Sequence, residues 1–134
     1  MGRGAVVKAN EYRSLLQRTQ NKYRAQRIVD PDFGPFDSKS EHQRFMFLKQ
    51  LEKAGIVSQL HRPGSVAFLG KSGEVVKRYK PDFAYLHLGV LVYEDWKPVR
   101  KRDTGVIEKL WQSTFPNIQL LITSNIEFMP GDEP

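Results

Sequence analysis

The 134-residue chain contains no cysteine, which excludes a disulfide framework, a thiolate metal site and a cysteine nucleophile. Any metal held by its side chains must sit on oxygen or imidazole ligands. Histidine is scarce as well, and His42, His61 and His87 are scattered without metal-ligand spacing, which argues against a zinc site. No apolar run approaches the roughly 18 residues needed to span a bilayer, and the basic, polar N-terminus carries no apolar signal-peptide region. The expectation is a soluble, cytoplasmic protein with no membrane partner. Internal repeats and low-complexity blocks are also missing. A phosphate-binding loop is excluded too, because Gly70-Lys71-Ser72 has Ser65 where that motif requires its first glycine.

The composition that remains is that of a globular domain, 40% hydrophobic and 27% charged, long enough to bury roughly 70% of its unfolded surface. Its net charge of +6 is uneven. Residues 1–30 hold Arg3, Lys8, Arg13, Arg18, Lys22, Arg24 and Arg27 against Glu11 and Asp30, a balance of +5. A positive field concentrated in one segment suits a polyanion.

Helical spacing of Tyr12, Leu16, Thr19 and Tyr23 predicts a basic amphipathic helix over residues 9–27. The stretch Asp30-Pro31-Asp32-Phe33-Gly34-Pro35 ends it in a linker or turn, where a hinge would fit. Ser38 followed three residues later by Glu41 is a capping-box signature for a second helix, running to Gly55 with Phe45, Leu48 and Leu51 as its apolar stripe. Short strands are expected at 56–60 and 65–69, followed by a hairpin turn at 70–73 into one long strand over 74–86. A turn at His87-Leu88-Gly89 leads into a strand over 90–97. A helix over 104–115, capped by Asp103 or Thr104, and a last strand over 118–123 suggest a parallel crossover. This order predicts an α/β or α+β domain with a central mixed sheet flanked by helices. Its parts are a basic arm over 1–30, a core over 31–129 and a frayed tail over 130–134. Trp96 and Trp111 are read as core.

Two charged clusters interrupt the strands, at Pro81-Asp82 and at Glu94-Asp95-Trp96-Lys97. Strand alternation puts Asp95 and Lys97 on one face and Glu94 and Trp96 on the other. A hairpin through His87-Leu88-Gly89 would bring Asp82 level with Asp95. Two ionised carboxylates about 4 Å apart repel by about 4 kcal/mol at an effective dielectric near 20, and a divalent cation removes that conflict. Hard oxygen ligands with water suit Mg2+ or Mn2+, which activates water for phosphodiester hydrolysis. Lys97 beside these carboxylates suits positioning that water and stabilising transition-state charge rather than acting as a free base. Each residue also has a plainer reading. Glu41 may complete a capping box, Asp82 may be a turn residue after Pro81, and Asp95 with Lys97 may be a same-face ion pair.

The ordered set of Glu41 on a helix, Pro81-Asp82 and Asp95-Trp96-Lys97 resembles the PD-(D/E)xK motif of the restriction-endonuclease-like nucleases. Phe36 to Glu41, Leu51 to Ile56, Tyr79 to Tyr85, and Glu94 to Lys97 followed by Thr104 are similar to small phage endonucleases of that superfamily, over roughly residues 33–123. That group includes Holliday-junction-resolvase-like enzymes. Transposon-end nuclease subunits share a related layout. The resemblance implies a restriction-endonuclease-like core, Mg2+- or Mn2+-dependent cleavage of DNA, perhaps branched, in phage DNA processing or recombination, and a homodimer in the cytoplasm of a bacterial host.

Glu41, Asp82, Asp95 and Lys97 would be catalytic. The metal shell would comprise Asp82, Asp95, Glu41 and the Trp96 carbonyl, with Glu94 substituting if a bulge shifts the register. Relatives often carry a glutamine on the strand after the helix, a place for which Gln59 and the segment His61-Arg62-Pro63 compete. Arg13, Arg18, Lys22, Arg24, Arg27, Lys39, Arg100, Lys101 and Arg102 are the candidate phosphate contacts. The alternatives are a non-catalytic DNA-binding or regulatory module on the same fold, or a transposon-end nuclease subunit.

Overall fold

The computed structural model describes residues 26–99 and 101–131. Its contacts divide the chain into two compact units, Met1–Met46 and Phe47–Pro134, and the division falls inside a helix. The helix expected over 9–27 lies outside the described residues except for its last two, which are not helical. No helix among the described residues is long and apolar enough to cross a membrane.

In the first unit the segment read as a linker is the turn of a hairpin. Strands β1 (Ile28–Asp30) and β2 (Gly34–Phe36) pair antiparallel, with Ile28 opposite Phe36. The Asp30 side chain closes the turn, its Oδ1 accepting the N–H groups of Asp32 at 2.8 Å and Phe33 at 3.1 Å. Helix α1 (Lys39–Lys53) follows. Ser38 caps it as expected, its hydroxyl accepting the Glu41 N–H at 3.1 Å. Phe33 and Phe36 pack against Phe45 with ring centroids 5.0 and 5.3 Å apart.

The second unit begins where α1 ends. Gly55, at φ +81, takes the left-handed conformation that a helix stop requires. Its N–H bonds the Glu52 carbonyl while the Ile56 N–H reaches back to Leu51 at 2.9 Å, a Schellman closure. Six strands follow, namely β3 (Ser58–His61), β4 (Val66–Leu69), β5 (Val75–Tyr79), β6 (Phe83–His87), β7 (Val90–Trp96) and β8 (Gln119–Thr123), with helix α2 (Thr104–Thr114) between the last two. The central sheet has the order β3-β6-β7-β8. Its first two pairings are antiparallel and β7 with β8 is parallel, so the sheet is mixed and α2 lies in the crossover.

The strand expected over 74–86 is two strands in two sheets. β5 pairs with β4 in a hairpin of their own, whereas β6 joins the central sheet. Proline without an N–H cannot donate to a ladder, and Pro81 sits in the gap. The β6–β7 hairpin turns on Leu88 and Gly89, both at positive φ (52° and 78°), the signature of a type I′ turn.

Alternation sorts the sheet into two faces. Phe83 and Tyr85 oppose Glu94 and Val92, and Leu121 runs beside Glu94. On the other face Tyr93 and Leu120 meet a cluster formed by Phe68, Tyr79, Ile107 and Trp111, which joins the β4–β5 hairpin to α2. Burying each such aliphatic or aromatic side chain is worth about 1.5–3 kcal/mol. The Trp111 ring also donates its Nε1–H to the Ile118 carbonyl at 2.8 Å, tying α2 to the approach of β8.

Candidate active site

Asp95 and Lys97 lie on one face of β7, as alternation requires, and the Lys97 Nζ is 3.1 Å from Asp95 Oδ2. Asp95 is 3% exposed, and the Lys97 side chain is 18% exposed, so the pair sits at the rim of the buried interior. The β8 strand fixes the lysine backbone: Trp96 pairs with Thr123, and the Lys97 N–H continues that pairing by donating to the Thr123 carbonyl at 3.0 Å.

Asp82 immediately precedes β6, and the register that sets Phe83 opposite Glu94 brings it level with Asp95. Its N–H donates to the Glu94 carbonyl at 3.0 Å, and its Oδ2 accepts the Trp96 N–H at 2.7 Å. The carboxylate of Asp82 thus takes a backbone donor where the β6–β7 ladder stops at Pro81.

A fourth group was not anticipated from the sequence. The Tyr79 hydroxyl donates to Asp95 Oδ2 at 2.5 Å, so the tyrosine and Lys97 share one carboxylate oxygen. Burial holds the Tyr79 phenol well above the usual tyrosine range. The charge and hydrogen bond of Asp95 push in the same direction, followed by the charges of Asp82 and Asp103. Tyr79 therefore remains a donor, and both aspartates act on its hydroxyl. A sequence signal existed: a buried tyrosine closing a strand needs an acceptor for its hydroxyl.

Glu94 faces the opposite side of the sheet. It is fully buried and accepts the Tyr85 hydroxyl at 2.8 Å, so the structure brings Asp95, and not Glu94, together with Lys97. Glu41 stands in the first turn of α1, in the first unit, and is buried. Gln59 is exposed at positive φ in the irregular pairing of β3, and its carbonyl bonds the His61 ring at 2.8 Å.

The basic candidates divide. Arg13, Arg18, Lys22, Arg24 and Arg100 lie outside the described residues. Lys39, Lys101 and Arg102 are exposed, whereas Arg27 is half-buried, with its Nε shut off from solvent and unmatched by an acceptor among the described residues. Asp103 occupies the cap position of α2, but its side chain makes no capping bond and instead lies 3.7 Å from the Lys77 Nζ.

Among the described residues no three of histidine, cysteine, aspartate and glutamate gather as a metal-binding group. Mg2+ does not require that. It keeps several waters and is commonly held by one or two carboxylates together with substrate phosphate. Both protein contacts of Asp95 fall on Oδ2, which leaves Oδ1 as a hard oxygen beside Asp82. The donor set fits such an ion. No protein-family model matches this chain, nor does any curated protein or solved structure.

Proposed function

We propose that the chain is a metal-dependent DNA endonuclease with a restriction-endonuclease-like core, and that Asp82, Asp95 and Lys97 form its catalytic set. The observation that carries this reading is the 3.1 Å approach of Lys97 to Asp95 on one strand face, with Asp82 level with it on the neighbouring strand. Asp82 and Asp95 would hold Mg2+ or Mn2+, which when bound polarises a phosphoryl oxygen and lowers the pKa of water. Lys97, anchored through its backbone to β8, orients the attacking water and offsets negative charge developing on the phosphate. Lys101 and Arg102, exposed just beyond β7, would grip neighbouring phosphates and fix the DNA. Each such contact steepens the salt dependence of binding by about 0.9 in log-log slope. Branched DNA is the preferred substrate on this reading, and a homodimer would cut both strands.

A non-catalytic DNA-binding module has one observation in its favour, since Asp82 and Asp95 each already satisfy protein donors. A cleavage panel separates the readings. Four-way junction, three-way branch and linear duplex are incubated with Mg2+ or with Ca2+. Cutting that needs Mg2+, fails with Ca2+, and disappears in Asp82→Ala and Lys97→Ala supports the nuclease. DNA binding without cutting of any substrate in Mg2+ or Mn2+ would leave only the binding module. Junction preference marks a resolvase, and preference for duplex ends marks a transposon-end subunit. Glu41→Ala in the same panel tests the role that the resemblance gives to Glu41.

A further inference from the structure

Asp95 is approached by two protein donors, and both choose the same oxygen. The Tyr79 hydroxyl lies 2.5 Å and the Lys97 Nζ 3.1 Å from Oδ2. Tyr79 is itself held by packing. Its ring is 6.3 Å from both Phe68, on which it stacks, and Trp111, which it meets edge-on. Only 8% of the residue is exposed. The hydroxyl is therefore delivered from a fixed ring, and the carboxylate cannot rotate without losing it.

From this geometry we propose that Tyr79 is a positioning residue that makes Asp95 a one-oxygen ligand and so sets which divalent cation the site accepts. The inference rests on the nuclease reading of the Asp82–Asp95–Lys97 cluster. With Oδ2 occupied by a hydroxyl and an ammonium, Asp95 offers only Oδ1. A single oxygen suits Mg2+ and Mn2+, which take six ligands at short, near-octahedral positions. Ca2+ takes six to eight oxygens and readily uses both oxygens of one carboxylate. Releasing Oδ2 from Tyr79 lets the carboxylate turn and present both oxygens, which favours the larger ion. Partners that orient a metal ligand typically contribute about 10–100-fold to affinity.

The test is direct binding of the metal alone, without DNA and without turnover. Mn2+ and Ca2+ affinities are measured by calorimetry for the full chain, Asp95→Asn, Tyr79→Phe and Phe68→Leu. Tyr79→Phe keeps the ring and removes only the hydroxyl. Phe68→Leu loosens the same aromatic cluster without touching the hydrogen bond. The expected result is Mn2+ binding that Asp95→Asn abolishes, and a Mn2+-over-Ca2+ preference that falls about tenfold in Tyr79→Phe but is unchanged in Phe68→Leu. Because the preference is a ratio within one variant, a general loss of stability cancels from it. An unchanged ratio in Tyr79→Phe, with binding still dependent on Asp95, overturns this proposal and leaves the nuclease reading standing. Mn2+ binding that is absent, or indifferent to Asp95→Asn, overturns both.

Discussion

Glu94 and Asp95 are adjacent carboxylates on one strand, and the sheet assigns them opposite tasks. Glu94 is fully buried and receives the hydroxyl of Tyr85, itself fully buried. Asp95 is almost as buried, yet its partners are a half-buried lysine and a tyrosine that meet on a single oxygen. Burial alone does not separate a structural acid from a functional one. What separates them is what stands across from the carboxylate: a closed interior for Glu94, and an ammonium at the rim with one oxygen to spare for Asp95.

The largest effect that would break this contrast belongs to Asp95→Asn. The amide keeps the shape and the acceptor for Tyr79 but removes the charge. Cleavage should therefore fall by about a thousandfold, as when an electrostatic group in an active site is removed, while stability changes by no more than about 1 kcal/mol. Initial rates on junction DNA and urea unfolding of the same preparations check both halves. A stability loss that matched the activity loss would place Asp95 in the same class as Glu94.

Glu94→Ala should show the reverse. Deleting the side chain opens a cavity and leaves the Tyr85 hydroxyl buried without this acceptor, at a cost of about 3 kcal/mol in unfolding free energy. Folded protein, isolated below its lowered melting point, should retain cleavage within severalfold of the parent. Cleavage lost from protein that remains folded would instead make Glu94 a ligand. Tyr85→Phe is milder, because only one hydrogen bond to the carboxylate goes, and about 2 kcal/mol is expected from the same unfolding measurement.

Much of this was legible in the sequence where local chemistry dictates the outcome. Ser38 and Gly55 bound α1 because a hydroxyl must meet an exposed N–H at one end and a left-handed residue must close the other. The face shared by Asp95 and Lys97 followed from the two-residue period of a strand. The division of residues 74–86 into β5 and β6 was not legible: both halves are strand-like, and only the pairing partners, β4 for one and β7 for the other, separate them at Pro81. The β1–β2 hairpin hid behind two prolines and a glycine, which read equally as a linker. Tyr79 escaped because its acceptor lies 16 residues away, reached only through the fold.

Asp30 sharpens the comparison from a third position, with the smallest expected effect. Both of its oxygens are occupied: Oδ1 takes two turn N–H groups, and Oδ2 lies 2.8 Å from the His42 ring nitrogen. By the criterion drawn from Asp95 it has no oxygen to offer a ligand and is a structural acid, although it is more exposed than Glu94. Burial works to raise its carboxyl pKa, but the His42 contact and the Asp32 and Phe33 N–H groups outweigh it, and the net shift is downward from the ordinary 3.8. A carboxyl with a lowered folded-state pKa stabilises fully above its unfolded pKa and loses that contribution as pH falls through the folded value. Asp30→Asn should therefore cost about 1 kcal/mol at neutral pH, and the deficit should shrink on acidification past 3.8 and vanish below the lowered value. Urea unfolding of both proteins across that range reads the difference directly. A deficit that stayed constant into acid would mean that the turn depends on the shape of Asp30 and not on its charge.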